Sequence, residues 1–145
     1  MIELLQYKSD LRKLRIEQQK LYNKYQQARD RAKKQGFDDG ELSFIGQEEQ
    51  EIDNWINFRQ TQYYQSVCQS LELPMPDRDN NEYYYKFNFD DDYGDRHILT
   101  TAGFHVVRNA IREEKKARRE VFGFWFAVIT GLIGALIGLV SVIKG

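Results

Sequence analysis

The sequence predicts a mainly α-helical fold: an antiparallel, coiled-coil-like αα-hairpin, a small β-hairpin, and a long C-terminal helix ending as one transmembrane span. Three observations carry this. Apolar residues recur every three to four positions from Leu4 onward. A stretch of aromatic residues from Tyr83 to Phe89 alternates with mostly polar ones. Residues 121–143 form a run of 23 without a charge. The implied segments are a helical hairpin (1–73), a proline break with the β-hairpin (74–100), a basic juxtamembrane helix (101–120) and the span (121–143).

The first helix rests on Leu4, Tyr7, Leu11, Leu14, Gln18, Leu21, Tyr25, Ala28 and Ala32, which step by three and four and so share one face. A helix of about 33 residues would be roughly 50 Å long. Gln18 is read as the one polar member of this seam, and a polar seam residue can fix register at some cost in stability. Gly36 and Asp38-Asp39-Gly40 end the helix in a turn. A second helix is predicted over residues 43–71, with Ser43 as its cap and Glu48 and Glu49 near its positive end. Ile45, Ile52, Trp55, Ile56, Tyr63, Val67 and Leu71 give it one apolar face, less regular than the first. The short connection makes the pair antiparallel.

Charge supports that pairing. Residues 1–35 carry net +6, residues 36–95 net −12 and residues 96–120 net +4, although the chain as a whole is at −1. A basic first helix is expected to meet Glu48, Glu49, Glu51 and Asp53. Exposed pairs contribute a few tenths of a kcal/mol each, so they set pairing preference more than stability.

Pro74 and Pro76 are expected to stop the second helix. Tyr83, Tyr85, Phe87 and Phe89 then alternate with Tyr84, Lys86, Asn88 and Asp90, the period of a strand. The acidic stretch 90–95 reads as a turn and residues 96–99 as the returning strand. Two strands alone are marginal in water. The aromatic face must therefore rest on the helices, on a neighbour or on a membrane surface. No proline follows residue 101, so one helix of roughly 44 residues can run to the end, with Gly123 as a possible bend.

The charge-free run is long enough to cross a bilayer core of about 30 Å. Fourteen of its positions are Val, Ile, Leu or Phe. Arg118 and Arg119 stand just before it and Lys144 just after. Basic residues stay on the cytoplasmic side, so the N-terminal body is expected to be cytoplasmic, in a tail-anchored layout. Phe122, Phe124, Trp125 and Phe126 fit an aromatic belt. Within the span, Ala127, Gly131, Gly134, Gly138 and Ser141 line one helix face, and small residues there allow two backbones to approach closely in lipid. Upstream, Arg108, Arg112, Lys115, Lys116, Arg118 and Arg119 form a basic surface suited to anionic lipid headgroups.

Leu99-Thr100, Gly103, Val107-Arg108, Ile111-Arg112-Glu113, Arg118-Arg119-Glu120, Trp125 and the run GLIGALIGL at 131–139 together make a further pattern. It resembles a family of small, uncharacterised bacterial membrane proteins, in which an LTxxGxxxLRxxIRxExxxRRE-like helix precedes a Gly-rich C-terminal span. Leu73-Pro74-Met75-Pro76 is similar to their upstream proline break, and Val107 stands where that pattern has Leu. The resemblance covers roughly the last third of the chain and implies a bacterial inner-membrane protein. It implies no activity.

Chemistry-bearing motifs are few. The acidic turn Asp90-Asp91-Asp92 with Asp95, and Asp77-Arg78-Asp79-Asn80-Asn81, lack the spacing of a calcium loop. His97 and His105 have no cysteine near them in sequence. Neither a phosphate loop nor a nucleophile elbow is present. The single cysteine, Cys68, suits a reducing compartment and offers a natural reporter of topology. The sequence thus points away from an enzyme, a cofactor, a small-molecule substrate and a nucleic-acid partner. It points to a membrane-anchored interaction protein whose partners are the bilayer and either another copy or a different membrane protein. The alternative is an oligomeric membrane-disrupting or pore-forming effector with a cytoplasmic regulatory part.

Overall fold

A computed structural model describes residues 2–37, 40–89 and 94–144. Three helices and one small sheet follow in the order α1 (Ile2–Gln35), α2 (Glu41–Ser70), β1 (Tyr84–Phe87), β2 (Arg96–Leu99) and α3 (Thr101–Lys144). Two compact units result: residues 1–107, and the remainder of α3 from residue 108 onward.

In the first unit α2 is the middle layer, packed against α1 on one side and against β2 on the other. The α1/α2 hairpin is antiparallel. Cross-helix partners step down one helix as they step up the other: Arg31 with Glu41 at 2.8 Å, Lys24 with Glu48 at 3.4 Å, Gln18 with Asp53 at 2.6 Å and Asp10 with Arg59 at 3.6 Å. The last rung is a ring stack, Tyr7 on Tyr63, with centroids 4.1 Å apart and planes within 5°. Leu11 and Ala28 are buried on α1, and Ile45 and Ile56 on α2.

The other face of α2 differs from the single apolar face its sequence suggested. Asn54, Phe58, Thr61 and Cys68 are buried there, about half a turn from Ile45 and Ile56. This second face carries the β-hairpin. Phe58, Phe89 and Ile98 form its core, flanked by Trp55, Tyr85 and Phe87. The rings of Trp55 and Phe89 lie 4.0 Å apart, and those of Phe87 and Phe89 4.8 Å apart. Burying each such side chain contributes about 1.5–3 kcal/mol, which two strands could not supply by themselves. The aromatic hairpin therefore rests on a helix.

Polar groups fix its position. The Tyr85 hydroxyl donates to Asn54 Oδ1 at 2.8 Å, while Asn54 Nδ2 donates to the Gln50 carbonyl at 2.9 Å. Thr61 Oγ1 donates to the Asn57 carbonyl at 2.8 Å and accepts the buried Leu99 N–H at 3.0 Å. The strands pair Tyr84 with Leu99, Tyr85 with Ile98, Lys86 with His97 and Phe87 with Arg96. Tyr84, on the face opposite Tyr85, is as buried as the core, so both sides of the hairpin are covered.

Several local expectations are corrected. The N-cap of α2 is Gly40, in the left-handed region at φ 89°, a conformation that glycine takes without steric cost; Ser43 is an exposed residue inside the helix. The prolines do not stop α2. It ends at Ser70, where Glu72 turns left-handed at φ 59° and the Leu73 N–H reaches back to the Cys68 carbonyl, a Schellman closure completed before Pro74. Strand β1 starts at Tyr84 rather than Tyr83, since the preceding turn still holds Tyr83. Gly123 does not interrupt α3.

The start of α3 is built from Leu99-Thr100-Thr101-Ala102-Gly103. Thr100 Oγ1 donates to the Glu82 carbonyl at 2.6 Å and accepts the Gly103 N–H at 3.1 Å, capping the helix. Gly103 is a glycine because a Cβ there would collide with the Tyr83 carbonyl oxygen and press on Leu99. Leu99 itself is buried.

Candidate functional site

From residue 108 onward α3 is a single helix, and its chemistry changes along its length. Arg108, Arg112, Lys115, Lys116, Arg118 and Arg119 are all exposed. Two are neutralised within the helix: Arg118 Nε lies 2.6 Å from Glu114 and Lys116 3.9 Å from Glu120, both one turn apart. Arg119 Nε donates to the Lys115 carbonyl. These pairs draw Lys116 and Arg118 aside and leave Arg112, Lys115 and Arg119 on a common face as the net cationic stripe, with Arg108 one turn before it.

Beyond Glu120 the helix turns apolar on every side. Phe122 is 73% exposed, Trp125 58%, Leu136 65% and Ile137 65%. The helix is long and apolar enough to cross a membrane, and none of its most apolar stretch is buried within the chain. Its one described polar side chain, Thr130, is satisfied by its own helix, donating to the Phe126 carbonyl at 2.8 Å. Among the described residues, nothing outside the helix's own neighbouring backbone lies within 4 Å of a Cβ built at Gly131 or Gly134. The face that carries Ala127, Gly131 and Gly134 is therefore open. Gly138 and Ser141 belong to α3, but their side chains lie outside the described residues.

The first-helix seam is placed differently. Leu11 and Ala28 are buried, and Tyr7, Leu14, Gln18, Leu21, Tyr25 and Ala32 are half-buried along α2, while Leu4 at the helix start is 37% exposed. Gln18 spends its amide on Asp53. The seam is thus used inside the chain, between α1 and α2.

Of the remaining candidates, Asp77 and Asn80 serve the local backbone. Asp77 Oδ1 accepts the Asp79 N–H and Asn80 Oδ1 accepts the Glu82 N–H, which commits those side chains to the turn. Asp90, Asp91 and Asp92, like Asp38 and Asp39, lie outside the described residues. His97 stands on β2 and His105 on α3. Among the described residues no group of three or more His, Cys, Asp or Glu is placed to hold a metal ion. Cys68 is 1% exposed, and burial pushes its thiol up, so it is a core residue and a poor topology reporter. Sequence reasoning missed Asn54, Asn57 and Thr61, and the capping role of Thr100. Their only sequence signal was polarity inside or beside a helix, which ordinarily marks a solvated position. Compared with known proteins, the chain matches no family model, no curated protein and no solved structure.

Proposed function

We propose that this chain is a non-enzymatic, membrane-anchored interaction protein. Residues 121–143 of α3 cross the bilayer once, and the α1/α2/β-hairpin body stays at the cytoplasmic face of a bacterial inner membrane. The observation that carries the reading is exposure. A core helix of a soluble protein hides its apolar residues, whereas among the described residues none of the most apolar stretch of α3 is buried. Lipid or a neighbouring span is the environment in which that surface costs nothing. Arg112, Lys115 and Arg119 supply a cationic collar of about 1 kcal/mol each toward anionic headgroups.

The open face at Ala127, Gly131 and Gly134, continued in sequence by Gly138 and Ser141, is where a second span docks. The experiment is cross-linking of the full chain in membranes, comparing the parent with Gly131→Leu/Gly134→Leu. Loss of the cross-linked species supports the seam, and unchanged assembly removes it. A membrane-potential dye in the same cells addresses the effector alternative: rapid depolarisation on expression would favour it over a scaffold.

A further inference from the structure

The body carries two surfaces of opposite character on opposite flanks of α1. On one flank Lys8, Arg12 and Arg15 surround Leu11 and Ile16 in a shallow cleft. Ile16 is 48% exposed and Leu5, in line with it, 63%. None of these three cations has an ion pair among the described residues, although α1 makes several elsewhere. On a helical wheel this flank lies roughly a third of a turn from the seam. The other flank opens into a groove of about 600 Å³ between α1 and α2. Its floor is Leu14, Leu21, Ile52 and Trp55, and its rim holds Glu17, Glu48 and Glu51 with Lys20. Glu48 is engaged by Lys24, whereas Glu17 and Glu51 have no ion pair among the described residues.

We infer that the basic flank of α1 in one copy docks into the acid-rimmed α1/α2 groove of a second copy. The match is in shape, apolarity and charge. A groove between two helices accepts a third helix, Ile16 and Leu5 are apolar knobs for an apolar floor, and Arg12 and Arg15 meet Glu17 and Glu51. The two surfaces are different and face apart, so the contact is heterologous. Copies add head to tail, closing a ring or extending a row beneath the membrane. This extends the self-association in the proposed function to a second copy bound through the body, on a surface separate from the helix seam.

The test uses the full chain in mild detergent at low salt, in the Gly131→Leu/Gly134→Leu background so that failure of the seam and of this contact are told apart. Sedimentation velocity is read for Arg12→Glu/Arg15→Glu, for Glu17→Lys/Glu51→Lys, and for an equal mixture of the two. All four positions are exposed, and unchanged helix content by circular dichroism checks the fold. Each variant alone should weaken association by about tenfold or more. The mixture should regain it, because the acidic flank of one variant now fits the basic groove of the other. The proposal is overturned if neither variant changes association or if the mixture stays dissociated. It is also overturned if only the Arg12→Glu/Arg15→Glu variant responds, which would assign the flank to anionic lipid or another acidic partner.

Discussion

Thr61 shows how one hydroxyl holds two elements together. It gives its proton to α2 and takes the buried Leu99 N–H from β2. Thr61→Val keeps the shape but strands that N–H, so the body should lose about 1–3 kcal/mol in urea unfolding, while Thr61→Ser should restore most of it. Gly103→Ala should cost about 1–3 kcal/mol or more, because the obstructing atom is the Tyr83 backbone carbonyl and cannot swing aside. Ionisation follows the same logic. Burial raises Cys68, Tyr84 and Tyr85 above their ordinary values of 9.0 for the thiol and 10.0 for the phenols. Arg78 pulls Tyr84 back in part and the Asn57 hydrogen bond does the same for Tyr85. Folded pKa values above the unfolded ones mean that the unfolded chain releases these protons first. Their contribution is thus complete at neutral pH and is lost as pH rises past about 9–10. The urea midpoint should fall across that window, and Cys68→Ser should remove part of the slope. These residues were hard to read from sequence. A Thr or Asn inside a helix has the signature of a solvated position, and only the hairpin laid across it makes it internal.

At the scale of elements, legibility followed the number of buried faces. Helix α1 buries one side, so its three-and-four stepping appears directly as Leu11, Leu14, Leu21 and Ala28. Helix α2 buries two sides, toward α1 and toward the sheet, and its period blurs; that is why its second face was missed. The β-hairpin was visible in its aromatic alternation, but its support was not, because Tyr85 and Phe89 find Asn54 and Trp55 more than thirty residues away in sequence. Turn chemistry misled at Ser43 and at the prolines. Gly40 and Glu72 solve the helix ends with left-handed backbone, which no side-chain capping rule signals. Ala28 is 2% exposed where α1 meets α2, so Ala28→Leu should overpack the hairpin and cost about 1–3 kcal/mol, read as a lower urea midpoint.

For the whole molecule, the apolar half of α3 was the plainest feature of the sequence, since 23 residues without a charge need no tertiary context to be noticed. The structure adds that this half is apolar all round and open at Gly131 and Gly134, and that its basic prelude is partly self-neutralised. Topology needs a reporter other than buried Cys68. A Ser9→Cys substitution on the exposed side of α1, in a Cys68→Ser background, should stay unlabelled by an impermeant maleimide in intact cells and react after lysis. Membrane insertion itself is tested most directly by an alkaline carbonate wash of membranes containing the full chain. The proposed anchor predicts that the protein stays in the pellet with integral proteins. Its release into the supernatant would contradict a spanning α3.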